Sequence, residues 1–102
     1  MENLFGRFDF LGFEPSNELQ ASAKGILHEI IGESPSDASS VATLTKTHLG
    51  FEGLLKVTSL AGTFIVHVVE TDPLHTVHKL QEKIIEKLNR WKMNRTKLEA
   101  FA

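Results

Sequence analysis

The sequence predicts a two-layer α+β domain in the order β-α-β-β-β-α, a four-stranded sheet with both helices packed on one face. Three observations predict it. Two apolar stripes recur at helical spacing, one from Leu19 to Ile30 and one from Leu74 to Trp91. Between them lie three strand-like runs joined by links short enough only for antiparallel hairpins. The chain has 102 residues, 41% of them hydrophobic, enough for one core and with no linker to mark off a second. A single domain spanning residues 1–102 is therefore expected.

The elements follow in order. Phe8 and Phe10 alternate with Arg7 and Asp9, the period-two signature of a strand with one buried face, and Gly12 ends it. From Ser16 the spacing changes to threes and fours at Leu19, Ala23, Ile26, Leu27 and Ile30. Pro15 and Glu18 mark the start of this amphipathic helix, Gly25 weakens it, and Gly32 is its expected stop. Ser34 to Ser40 reads SPSDASS, a loop rich in turn formers. Three strands are expected at about Val41–Thr47, Phe51–Ser59 and Thr63–Glu70, separated by His48-Leu49-Gly50 and Leu60-Ala61-Gly62. On the last of them Phe64, Val66 and Val68 share one face, and Ile65, His67 and Val69 the other. Asp72 then supplies an N-cap oxygen and Pro73 suits the first helical position, opening a helix that runs to about Arg95.

Composition excludes several functions. There is no cysteine, so disulfides, thiolate metal sites and cysteine nucleophiles are ruled out, and a reducing cytoplasm is the expected location. Glu2, Arg7 and Asp9 interrupt the apolar residues at the start, so no signal peptide can be drawn. No apolar run approaches the roughly 20 residues needed to cross a bilayer, and no membrane partner is expected. The formal net charge of −2 hides an asymmetry. Residues 1–71 carry Arg7, Lys24, Lys46 and Lys56 against nine acids, a net −5, whereas residues 72–102 carry seven basic residues against Asp72, Glu82, Glu86 and Glu99, a net +3.

That positive charge is ordered. In the last helix Leu74, Val77, Leu80, Ile84, Leu88 and Trp91 form the core stripe. Lys79, Lys83, Lys87 and Arg90 fall within roughly 80° of one another on the same wheel, making a ridge along the stripe's flank. Glu82 and Glu86 border the ridge rather than interrupt it. Lys92, Arg95 and Lys97 continue the positive density, with Lys92 on the opposite edge of the stripe. A row of cations on a rigid element suits a phosphate backbone, where each contact releases counterions, but it carries no base readout.

The element order and the segment AGTFIVHVVETDPLHTVHKLQEKIIEKLNRWK resemble the ribosome hibernation-promoting factor family, also called the sigma-54 modulation family. Gly62, the strand Thr63–Glu70 and Asp72, followed by Val77, Leu80, Lys83, Ile84, Leu88, Arg90 and Lys92, fall where that family has its glycine turn, last strand, capping Asp and basic final helix. Phe8, Phe10 and Gly12 look like its first strand and turn, and Leu19 like the first core residue of its first helix. The chain departs from the pattern at Glu86, in a shorter turn after the first strand, and in a first helix where Lys24 and His28 face Glu18, Glu29 and Glu33, so the resemblance is to a divergent member. Because it ends soon after the last helix, it resembles the short forms.

The resemblance implies a ribosome-associated translation regulator that binds small-subunit rRNA and silences idle ribosomes. The expected rRNA contacts are Lys79, Lys83, Lys87, Arg90 and Lys92, with Lys24, Lys46 and Lys56 as weaker candidates. The competing expectation is a protein-interaction or self-association module of the same fold that does not bind the ribosome, with a homodimer patch at Ile65 and Val69 on the outer sheet face. His75, His78 and Glu82 share one side of the helix, but so common a spacing does not define a metal site. No phosphate loop, nucleophile elbow or paired-carboxylate motif is present. No enzyme, metal, cofactor or small-molecule substrate is expected, and Trp91 reads as the end of the core stripe rather than a stacking platform.

Overall fold

The computed structural model describes the backbone of residues 2–3 and 6–101 and the side chains of residues 6–94. Arg95 and Lys97, expected to extend the basic density, therefore lie outside the described side chains. The elements are β1 Glu2–Asn3, β2 Gly6–Leu11, α1 Asn17–Glu33, β3 Ser39–Thr47, β4 Gly50–Ser59, β5 Gly62–Glu70 and α2 Pro73–Phe101. The four long strands and two helices follow the expected order. The two-residue β1 adds a short fifth strand outside β2.

The sheet is mixed, in the order β1-β2-β3-β4-β5. β2 runs parallel to β3, with Phe8 opposite Ala42 and Phe10 opposite Leu44. Parallel neighbours need a crossover, and α1 provides it. β3, β4 and β5 form the antiparallel meander, joined by the two-residue loops His48-Leu49 and Leu60-Ala61. The glycine after each loop, Gly50 at φ 135° and Gly62 at φ 142°, takes backbone angles that other residues rarely adopt.

Local sequence explains the helix ends. The Leu19 amide donates to Ser16 Oγ at 3.1 Å, so Ser16 caps α1. The His75 amide reaches Asp72 Oδ2 at 3.4 Å, and Pro73 occupies the first turn of α2. Gly32 does not stop α1. The helix continues through it to Glu33, where the Ser34 amide donates to the Ile30 carbonyl at 2.8 Å and Pro35 cannot extend the ladder.

Both helices lie on one sheet face. The core joins Phe8, Leu44, Leu55, Val57, Val66 and Val68 from the sheet to Leu19, Ile26, Leu27 and Ile30 of α1 and to Val77, Leu80, Ile84 and Leu88 of α2. Gly53 sets the height of α2. A Cβ there would lie 2.8 Å from Leu80 Cδ1 and 2.9 Å from Thr76 Cγ2, so its absence lets the helix settle onto β4. Thr76, fully buried, donates from Oγ1 to the Asp72 carbonyl at 2.8 Å.

Candidate nucleic-acid interface

The buried stripe of α2 fixes where its remaining side chains go. At about 100° per residue, Gln81, Ile85 and Lys92 lie on one flank, and Lys79, Lys83, Lys87 and Arg90 on the other. α1 covers the first flank. Gln81 donates to Glu29 and Lys92 pairs with Glu33, both across the helix–helix seam. The second flank stands over the edge of the sheet, because β5 is the last strand in the order.

The basic ridge on that second flank is open to solvent. Lys83, Lys87 and Arg90 are exposed, and the Lys79 side chain is 38% exposed. Successive lysines at positions 79, 83 and 87 climb about 6 Å per step along the axis. Two of the four cations touch an acid on their own helix: Lys79 Nζ lies 3.9 Å from Glu82, and Arg90 lies 3.1 Å from Glu86. Such solvent-exposed pairs hold for at most about 1 kcal/mol and exchange readily for a stronger anion. Lys83 and Lys87 have no carboxylate partner among the described residues.

The other cations named from sequence do not join this surface. Lys92 is turned away from the ridge and ties α2 to α1. Lys24 lies on α1 beside Asn17, Gln20 and Ala21. Lys46, at the end of β3, stands 6.0 Å from the centre of the Phe51 ring. Lys56 points from the outer sheet face, opposite Val41 and Ile65. The structure thus brings four of the eight named residues together and spreads the rest over different faces.

The outer face is a checkerboard. Leu11, Val41, Leu54, Ile65 and Val69 are each between 43% and 51% exposed. Each faces a polar neighbour across the strands: Leu11 faces Thr45, Val41 faces Arg7 and Lys56, Leu54 faces Thr43 and His67, Ile65 faces Lys56, and Val69 faces Glu52. His67 Nε2 lies 3.6 Å from Glu52, and Arg7 lies 2.7 Å from Asp9. Among the described residues no group of three histidines or carboxylates is arranged to hold a metal, and no helix is long and apolar enough to cross a membrane.

Sequence reasoning missed one feature of this region. Trp91, half-buried one turn beyond the last fully buried residue of α2, meets Phe64 edge-on, with ring centroids 6.3 Å apart. It also lines an open groove of about 370 Å3 with Thr63, Phe64, Ile65, Lys87, Arg90 and Asn94. The helical wheel places Trp91 beside Lys87 but says nothing about β5, whose edge forms the other wall.

Fold and surface together define a class: a two-layer α+β domain that presents aligned cations on a helix flank above an open sheet edge. No protein-family model matches the chain, and no curated protein sequence matches it. Solved structures share the fold. A ribosomal subunit interface protein from Coxiella burnetii superposes with a TM-score of 0.72 at 19% identity, covering 88% of this chain and 99% of that one. The Thermus thermophilus Protein Y N-terminal domain superposes with a TM-score of 0.69 at 9% identity, covering 83% and 94%. At these identities the likeness establishes the fold.

Proposed function

We propose that this protein is a cytoplasmic, non-catalytic translation regulator that binds rRNA of the small ribosomal subunit and silences idle ribosomes. The observation that carries the reading is the α2 ridge. Lys79, Lys83, Lys87 and Arg90 face solvent from one side of a helix anchored by four fully buried residues, Val77, Leu80, Ile84 and Leu88. A rigid row of cations pays little ordering entropy on meeting a phosphate backbone, and each contact releases condensed counterions. The sequence resemblance to the hibernation-promoting factor family, and a fold shared with a ribosomal subunit interface protein, support the ribosome as the source of those phosphates.

Lys92 has a structural role in this reading, clamping α1 to α2, and Lys24, Lys46 and Lys56 contribute at most to the surrounding field. The self-association alternative draws on Ile65 and Val69, each of which stands directly opposite a charged residue of β4, Lys56 and Glu52. The test is sedimentation of the purified chain with isolated small and large subunits across a salt series. The reading expects pelleting with small subunits at low salt and release as salt rises. Failure to pellet with small subunits even at low salt would reject it. Light scattering of the wild type beside an Ile65→Lys, Val69→Lys variant tests the alternative: a monomer in both removes it.

A further inference from the structure

The groove at the end of the ridge has a composition that phosphate contacts alone do not explain. Phe64 and Ile65 of β5 form one wall; Lys87, Arg90, Trp91 and Asn94 of α2 form the other. An aromatic surface, two cations and one amide therefore converge, and among the described residues no carboxylate lines the space. Its volume, about 370 Å3, lies at the small end of ligand-sized pockets, which run from about 300 to 1,000 Å3.

The occupant follows from what each group can hold. A bare phosphate would use Lys87 and Arg90 and make no use of the Trp91 ring that lines the same space. A purely apolar side chain would use Trp91 and Ile65 and strand two cations. A flat aromatic ring joined to a phosphate uses all of them, and the Asn94 amide can both donate to and accept from the edge of such a ring. Arg90 can keep its contact with Glu86 while doing so, since a guanidinium has five N–H donors. The open edge of β5 adds backbone donors and acceptors beside the wall.

We infer that this groove takes one unpaired nucleobase of single-stranded RNA, stacked on Trp91, with an adjoining phosphate held between Lys87 and Arg90. The inference rests on the RNA-binding reading above and deepens it. The ridge would grip the backbone without regard to sequence, and the groove would require a base that is free of its partner strand. Paired bases are inaccessible to it, because a duplex presents its phosphates outside and its rings within.

Trp91 makes the inference directly testable. It is the only tryptophan and the chain has no tyrosine, so indole emission reports this groove alone. The full chain is titrated with a short end-labelled oligouridylate, with a blunt RNA duplex and with inorganic polyphosphate, following label anisotropy or competition for binding and Trp91 emission for the groove. The inference expects emission to change in step with binding of the single strand and to stay constant when duplex or polyphosphate binds. Trp91→Leu should weaken the single strand about 5- to 150-fold while leaving polyphosphate binding unaltered, and Trp91→Phe should restore most of the loss. Single-strand binding with unchanged Trp91 emission, or an equal emission change with polyphosphate, overturns the base site and leaves the ridge intact. Absence of binding to any of the three probes and to small subunits at low salt removes the RNA reading itself, and the base site with it.

Discussion

Neutralising Lys83 and Lys87 together, as Lys→Gln at both positions, tests whether the ridge meets phosphates. Both are exposed and neither is paired with an acid among the described residues, so the change removes two positive charges without freeing a carboxylate. Substitutions at such exposed helical positions stay within about 0.5 kcal/mol of stability. Four ridge cations on four phosphates give a slope of log K against log salt of about −3, taking 0.7 to 0.9 per contact. From about 50 to about 200 mM salt that slope loses roughly 50- to 150-fold in affinity. With two contacts left, the slope falls to about −1.5 and the loss to roughly tenfold. The assay is equilibrium binding of labelled protein to small subunits at several salt concentrations, with Lys56→Gln, on the opposite face of the sheet, as the control. The control should keep the full slope. A double variant with the wild-type slope, or a control that falls as far, would refute the claim that these cations meet phosphates.

Lys92→Gln should leave the salt slope unchanged and cost less than about 1 kcal/mol in urea denaturation, because its half-exposed pair with Glu33 lies in the helix–helix seam away from the ridge; a slope reduced by one contact would place Lys92 in the interface. Gly53→Val should destabilise by about 1–3 kcal/mol, since its side chain meets Leu80 and Thr76 at less than contact distance, and an unchanged denaturation midpoint would contradict the close seating of α2. Leu88→Ala, at a fully buried position, should cost about 2–5 kcal/mol in the same assay. Ser16→Ala should cost about 1 kcal/mol by removing the α1 cap, and a midpoint equal to wild type would show that Ser16 does not hold the Leu19 amide.

Features with a local or periodic cause were legible in the sequence. Ser16 and Asp72 cap as their hydrogen-bonding chemistry requires, the alternation along β5 sorts Val66 and Val68 inward and Ile65 and Val69 outward, and the spacing of Lys79, Lys83, Lys87 and Arg90 puts them on one flank. What failed depended on contacts across the chain. Gly32 looks like a helix stop because glycine is common there, yet its φ is not positive, and Ser34 with Pro35 ends α1 instead. The pairing of β1 with β2 rests on two residues, too few for any period to show. The pairing of Lys92 with Glu33 joins residues far apart in sequence, so no local pattern shows it. The groove beside Trp91 has one wall from each of two elements, so no single stretch of sequence contains it.

β5 is an unprotected edge. Its nine residues contain no proline and no lysine, the usual devices by which proteins discourage strands from pairing edge to edge into fibres. Here the deterrent is borrowed from the neighbouring helix, whose Lys87 and Arg90 overhang the strand and would confront their own images if two molecules met side to side. Like charges at that range are screened as the Debye length shrinks from about 10 Å at 0.1 M to about 3 Å at 1 M salt. The two cations that the proposed function sets against RNA phosphates thus also stand where a second copy of the strand would have to approach.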